Sequence, residues 1–156
     1  MFQDLQKTDL YRLHSMSDDF DGGCFSIDIS KVSATNDQEI YQLLDAACRL
    51  SGLQPISNSW RNQTFDEGTT MLQWGFQNDL VFDGPRLGKK KTNKYMKLIL
   101  NHVNPEEAFC FTNWSDDPWN EGGSRSWSSL SHATFEIAVV VMDKNTLVLT
   151  YLTAED

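Results

Sequence analysis

The chain ends in FEIAVVVMDKNTLVLTYLT, residues 135–153, and this stretch decides the fold class. Residues 135–142 are almost wholly apolar, which is typical of a strand that is covered on both faces. Asp143-Lys144-Asn145 is a turn sequence, and residues 146–153 return as a second strand. The sequence therefore predicts a C-terminal β-hairpin.

Apolar and polar residues alternate in several segments upstream, which is the pattern of strands with one covered face. Residues 2–16 are ambiguous, because they follow helical spacing loosely while residues 10–16 also fit a strand. Residues 55–69 read as a polar loop, and residues 113–131 as a long irregular one. The other predicted strands are residues 24–29, 70–76 with a continuation at 80–82, 95–100 and 108–112.

One main helix is predicted over residues 37–51. Thr35 or Asn36 is the predicted N-cap, and Asn36 with Glu39 resembles a capping box. Gly52 follows the helix and supplies the residue without Cβ that a left-handed cap needs. One apolar stripe runs along it, formed by Ile40, Leu43, Leu44, Ala47 and Leu50. We therefore expect a single α+β domain over residues 1–156, a mostly antiparallel β-sheet with one main helix packed on it.

The charge of the chain is strongly negative and unevenly distributed. Its 13 Lys and Arg face 22 Asp and Glu, which gives a net charge of −9. Six of the bases lie within residues 86–97, so residues 1–85 carry −8 and residues 98–156 carry −7. Such a field attracts cationic surfaces, whereas binding to phosphate backbones depends on Lys and Arg. The sequence thus favours a basic protein partner over direct contact with nucleic acid.

The lysine-rich segment, residues 89–97, is the exception to this acidity. We expect it to form a solvated loop and an edge strand, where lysine discourages strand-to-strand aggregation. The other interpretation is a small patch that binds phosphate or nucleic acid.

Cysteine use and hydropathy indicate a cytoplasmic protein. The three cysteines, Cys24, Cys48 and Cys110, are odd in number and widely spaced, which fits a reducing compartment better than a disulfide framework. The longest apolar run, residues 137–142, is far shorter than the ~20 residues that span a bilayer. The amino terminus shows no secretory pattern. No contact with a membrane is expected.

Sequence motifs for catalysis, metal or cofactor binding are weak throughout. Residues 17–28 place Asp19, Asp21 and Asp28 at calcium-loop positions, but an Asp-Gly turn that enters a strand explains the spacing better. The histidines and cysteines lack zinc-ligand spacing, and no serine lies in a nucleophile elbow. The adjacent carboxylates Asp66-Glu67, Glu106-Glu107 and Asp116-Asp117 are expected to titrate normally. We predict no catalytic residue, no metal and no cofactor.

Residues 113–127 form the segment that most resembles a binding site. Tryptophan is enriched at the hot spots of protein interfaces, and carboxylates around it would steer a cationic partner. The other interpretation is that the indoles fold back onto the core beneath a long loop, and individual tryptophans could do both. The predicted contact residues are Trp114, Asp116, Asp117, Trp119, Glu121 and Trp127, with Asp18, Asp19 and Asp21 as a second region.

In size, acidity, inferred compartment and strand-rich character, the whole chain resembles the small bacterial immunity proteins of polymorphic and contact-dependent toxin systems. The resemblance implies an inhibitor that binds a basic toxin, such as a nuclease, and occludes its active site or substrate surface. A phage-encoded inhibitor of a host nuclease is a variant of this hypothesis. The alternatives are a small enzyme or ligand-binding domain with a Trp-lined pocket at residues 113–131, and a structural or oligomerising role through edge strands.

Overall fold

The computed structural model describes residues 10–16, 25–32, 37–78, 85–120 and 126–154, and the structural statements below refer to these residues. They form six strands, three α-helices and a short 3-10 helix at Ser57–Ser59. The strands are β1 (Leu10–Met16), β2 (Phe25–Lys31), β3 (Arg61–Thr64), β4 (Phe109–Thr112), β5 (Phe135–Met142) and β6 (Thr146–Ala154). The helices are α1 (Asp37–Leu50), α2 (Phe65–Gln77) and α3 (Lys89–Leu100).

All six strands join one antiparallel sheet in the order β1-β2-β6-β5-β4-β3. The α+β class and the C-terminal hairpin are therefore confirmed. The hairpin β5–β6 lies in the middle of the sheet, paired from Phe135 opposite Ala154 to Met142 opposite Leu147. Its turn is fixed by Asp143, whose Oδ1 accepts hydrogen bonds from the backbone N–H groups of Asn145 and Thr146, both at 2.8 Å.

The sheet is covered by helices on both faces, which explains why the hairpin strands are apolar almost throughout. Because side chains alternate along a strand, neighbouring residues of β5 enter different cores. Ala138 and Val140 belong to the cluster that contains the α1 residues Leu43, Leu44, Ala47 and Cys48. Val139 and Val141 belong to the opposite cluster. Its helical members are Met71, Leu72 and Phe76 of α2 and Tyr95 and Ile99 of α3.

Helix α1 confirms the predicted helix and its C-terminal signal. Gly52 has a φ of +79°, and the backbone N–H of Leu53 donates to the carbonyl of Cys48 at 2.7 Å. The N–H of Gly52 donates to Arg49, which completes a Schellman motif. The predicted N-cap residues Thr35 and Asn36 lie outside the described residues. No described helix is both long and apolar enough to cross a lipid bilayer.

Two predicted strands, residues 70–76 and 95–100, are wrong, because these residues are helical in α2 and α3. Alternation in residues 70–76 was a coincidence of Leu72, Trp74 and Phe76. The residues that α2 buries follow helical spacing and include two glycines, which lack an apolar side chain: Gly68, Met71, Leu72, Gly75 and Phe76. The loop predicted over residues 55–69 was likewise incomplete, since it contains β3 and the start of α2.

Residues 89–97 form most of α3 and are neither a loop nor an edge strand, which corrects the expected structure of the lysine-rich segment. The helix buries Thr92, Tyr95 and Ile99 at intervals of three and four residues. Its five lysines are exposed. One position of this buried stripe is a threonine, which is polar. The apolar residues of the segment therefore do not repeat with a helical period, and the sequence did not indicate a helix.

Candidate protein-interaction site

The segment that follows β4 packs its first tryptophan into the core. Trp114 is 2% exposed, and its indole Nε1–H donates to the carbonyl of Glu136 at 2.8 Å. Its ring stacks on that of Trp127 with centroids 5.4 Å apart, and meets Trp74 of α2 edge-on at 5.6 Å. Trp127 is half-buried and lies 6.0 Å from the ring of Phe135. Packing, the second interpretation of these indoles, therefore holds for Trp114 and in part for Trp127.

Backbone pairing holds the two arms of this segment together. Trp114 and Trp127 form an isolated antiparallel bridge, and the N–H of Ser115 donates to the carbonyl of Ser126 at 2.8 Å. The buried side chain of Asn113 ties these arms to β5, because its Oδ1 accepts the N–H of Ala138 at 2.8 Å. Hydrogen bonds thus join residues 113–115 to residues 126–127 and to β5.

Residues 116–120 form a turn that is closed by its own polar groups. Oδ1 of Asp116 accepts a hydrogen bond from the N–H of Asp117 at 2.8 Å and one from Nδ2 of Asn120 at 2.7 Å. The N–H of Asn120 donates to the carbonyl of Asp117 at 3.1 Å. We call residues 116–120 the acidic turn.

Arg61, at the start of β3, anchors the acidic turn to the sheet. Its Nη2 lies 2.7 Å from Oδ1 of Asp117, and its Nε donates to the carbonyl of Trp114 at 2.9 Å. Because the guanidinium reaches both a side chain and the backbone, it fixes the turn in position as well as neutralising one carboxylate. The turn therefore has a defined conformation before any partner binds.

The turn carries the ionised carboxylate of Asp116 and the indole of Trp119. The hydrogen bonds from Asn120 and from the Asp117 backbone hold the pKa of Asp116 below its ordinary value, so this group stays ionised at neutral pH. Trp119 is 43% exposed, and it is the one exposed large apolar side chain among the described residues. An ionised carboxylate and an exposed indole thus belong to one turn that hydrogen bonds hold in place.

The structure places the predicted contact residues in different settings. Asp116, Asp117 and Trp119 share the acidic turn, whereas Trp114 and Trp127 lie beneath and beside it. Glu121 and the second predicted region, Asp18, Asp19 and Asp21, lie outside the described residues. Sequence reasoning missed Arg61 and Asn120. Asn120 had a signal, since it falls in the segment, but Arg61 is 56 residues from Asp117 and no local pattern connects them.

Other candidate chemistry finds little support in the described residues. Cys48 and Cys110 are buried, and burial raises the pKa of each thiol to about 12, so neither forms a reactive thiolate at neutral pH. No group of three or more His, Cys, Asp or Glu side chains in the described ranges could hold a metal ion. The expectation that the paired carboxylates titrate normally is wrong for Glu67 and Asp116, because hydrogen bonds lower the pKa of each. Glu67 accepts the N–H of Thr64 at 3.0 Å in the N-terminal cap of α2.

A shallow depression of about 350 Å³ lies beside the second arm of the loop. Its described lining is Ser126, Trp127, Ser129, Ala133 and Thr134. One indole and three hydroxyl-bearing residues could bind a polar ligand, but the described lining offers no acid, base or thiolate for catalysis.

The chain was also compared with known proteins. Comparison with protein-family models, with curated proteins and with solved structures finds no match to this chain.

Proposed function

We propose that this protein is an acidic inhibitor that binds and neutralises a basic protein, in the manner of an immunity protein and its toxin. The observation that carries the proposal is Trp119, an exposed indole that shares an anchored turn with an ionised carboxylate. The proposed partner is a cationic toxin, such as a nuclease, whose active site must hold phosphates. The inhibitor would occlude that site or the surrounding substrate surface.

The acidic turn has the properties of an interface hot spot. An indole combines a large apolar area with few rotatable bonds, so ordering it on binding costs little entropy. The hydrogen bonds from Asn120 and Arg61 restrict the turn in advance, which lowers the ordering cost further. Asp116 can then pair with a Lys or Arg of the partner at the edge of the buried indole.

The net charge of −9 supports the same proposal at longer range. A negative field around the molecule speeds encounter with a cationic partner, and this gain falls as salt screens the charges. Direct binding to nucleic acid would be opposed by the same field. The proposal therefore predicts a fast association that slows as ionic strength rises.

The test begins with capture of the partner from the native host by the tagged protein at low salt, followed by mass spectrometry. The purified partner is then assayed for its own activity and for association with variants. We expect a basic protein whose activity is lost on binding, and a Kd raised by roughly 30-fold or more for Trp119→Ala. A partner that is acidic, or that stays active in the complex, would refute the proposal.

A matched pair of variants separates the turn from general acidity. Asp116→Asn removes one charge and keeps an oxygen that can accept both hydrogen bonds of the turn. Asp66→Asn removes the same charge from an exposed position in the first turn of α2. We expect Asp116→Asn to reduce the affinity several-fold more than Asp66→Asn does. Equal effects would show that the acidic turn is not the contact.

A further inference from the structure

A cleft of about 440 Å³ opens on the α1 side of the sheet, beside the core cluster that contains Phe111. Ile40 and Tyr41 of α1 form one wall, and Asn62 of β3 with Phe109 and Phe111 of β4 form the other. The rings are arranged edge-on, with centroid distances of 5.7 Å between Tyr41 and Phe111 and 5.9 Å between the two phenylalanines. The cleft is thus mainly aromatic and lies between a helix and the end of a sheet.

Strand β3 is the last strand of the described sheet, and it pairs on one side only, with β4. Asn62 lies opposite Phe111 and Thr64 opposite Phe109, so both residues of β3 share the face of the cleft. Both are exposed. An edge strand beside an apolar groove is the arrangement in which an extended peptide adds to a sheet, with its backbone on the strand and alternate side chains in the groove.

The charges near one end of the cleft are mostly negative. Glu67 belongs to the capping box of α2, directly after β3, and Glu106 and Glu107 precede β4 by a few residues. Hydrogen bonds from Thr64 keep the pKa of Glu67 below its ordinary value. Nearby cations include Lys144, 3.4 Å from Glu107, and Arg61 of β3, whose charge also lowers the pKa of Glu67. An extended segment with basic residues would meet attraction here, and an acidic one would meet repulsion.

We propose that this cleft and β3 together bind an extended, basic segment of a protein partner by strand addition, with an apolar side chain of that segment in the cleft. The proposed function motivates the cationic partner, and the cleft would give that partner a second contact apart from the acidic turn. Aromatic walls favour a Phe, Leu or Ile side chain at the centre of the segment. Asn62 lines the cleft and is exposed to solvent.

The experiment uses the full chain and three short capped peptides, KVKFKVK, its charge-reversed counterpart EVEFEVE and the proline variant KPKFKPK. Proline keeps the charge of the first peptide but cannot form a strand ladder. We expect KVKFKVK to bind at least ~10-fold more tightly than either control, a difference of about 1.4 kcal/mol. Its binding should shift the backbone amide signals of Asn62, Thr64, Phe109 and Phe111 in NMR spectra.

Tryptophan substitutions at two exposed asparagines test the cleft itself. Asn62→Trp should fill the cleft and weaken binding of KVKFKVK by at least ~10-fold, whereas Asn93→Trp, on the exposed face of α3, should leave it unchanged. Equal binding of KVKFKVK and KPKFKPK, amide shifts elsewhere, or an unaffected Asn62→Trp variant would each overturn the proposal. Trp119→Ala should not alter peptide binding, so failure at the cleft and failure at the acidic turn are distinguishable.

Discussion

At the scale of single residues, three tryptophans of one loop have three different environments. Trp114 is buried and donates its indole N–H to a backbone carbonyl, Trp127 is half-buried against it, and Trp119 is exposed. Burial of an indole stabilises the fold through its large apolar area, and Trp119, which is 43% exposed, contributes less in this way than Trp114. One residue type therefore supports the fold at one position and is available for binding five residues later.

Truncation of these indoles should separate the two roles. Trp114→Ala should lower the free energy of unfolding by about 3–5 kcal/mol, since it removes a buried aromatic side chain and leaves a cavity. Trp119→Ala should change it by less than about 0.5 kcal/mol, as is usual for surface positions. Urea unfolding followed by circular dichroism measures both values. A loss above about 1 kcal/mol for Trp119→Ala would mean that its indole packs on the protein.

At the scale of elements, α2 is fixed by how closely its backbone approaches the sheet. Gly68 lies directly against Cys110 of β4, so that a Cβ at this position would overlap the Cys110 side chain. Gly75, two turns later, faces Ile137, whose nearest atom would lie 3.5 Å from such a Cβ, an ordinary contact distance. The helix thus needs a glycine at one of these two positions and merely tolerates one at the other.

The two glycines make a matched pair for alanine substitution. Gly68→Ala should destabilise the protein by about 3 kcal/mol or more, because the added methyl forces α2 away from β4. Gly75→Ala should be neutral or stabilise by up to about 1 kcal/mol, since alanine favours the helix and the space is sufficient. Thermal and urea unfolding check both. A stable Gly68→Ala protein would contradict the close packing of α2 on β4.

The N-terminus of α2 should make stability depend on pH. Thr64 and Glu67 form a capping box, and hydrogen bonds from Thr64 lower the pKa of Glu67 from its ordinary 4.5. A depressed carboxyl pKa stabilises the fold above the unfolded-state pKa, and that contribution disappears as the pH falls through the lower, folded-state value.

Glu67→Gln removes the charge but supplies an amide oxygen that can still accept the N–H of Thr64 in the cap. We therefore expect it to be less stable than the natural protein at pH 7, with the difference shrinking as the pH falls below about 4.5. Urea unfolding at a series of pH values measures this. Thr64→Ala should reduce stability by about 1 kcal/mol through loss of the cap. A constant difference between Glu67→Gln and the natural protein at all pH values would argue against the capping contribution.

At the scale of the whole molecule, the charge distribution places nearly half of the bases on or beside one helix. Helix α3 carries five exposed lysines and no acid, while residues 1–85 and 98–156 carry −8 and −7. Cations on α3 therefore offset repulsion among the carboxylates of the rest of the molecule. Those in the first turn of the helix also oppose its dipole, so their net contribution is smaller.

Two lysine pairs test this balance. Lys94→Gln with Lys97→Gln and Lys89→Gln with Lys90→Gln each change the net charge from −9 to −11. We expect loss of the first pair to lower the Tm at low salt by a few degrees. Loss of the second pair should lower it less, because it also removes the unfavourable interaction of Lys89 and Lys90 with the positive end of the helix dipole. Scanning calorimetry at about 10 mM and 500 mM NaCl measures both, and screening should shrink the difference. A salt-independent loss would point to packing of the lysine stems.

The sequence by itself determined the α+β class, the β5–β6 hairpin and α1 with its end at Gly52, because each has a strong local signal. An apolar run bounded by a turn and an apolar stripe bounded by glycine are readable from neighbouring residues alone. The composition of residues 113–127 was also enough to predict a binding site there. The net charge that underlies the proposed function needed only a count.

Only the tertiary structure decided that residues 65–77 and 89–100 are helices, that Trp119 rather than Trp114 faces outward, and that Arg61 anchors Asp117. The stripes of α2 and α3 contain Gly68, Gly75 and Thr92, which become part of the core only because other elements lie against them, the sheet against α2 and α2 against α3. Exposure of an indole and the pairing of charges depend on which distant segments of the chain fold against them, and no local pattern contains that information.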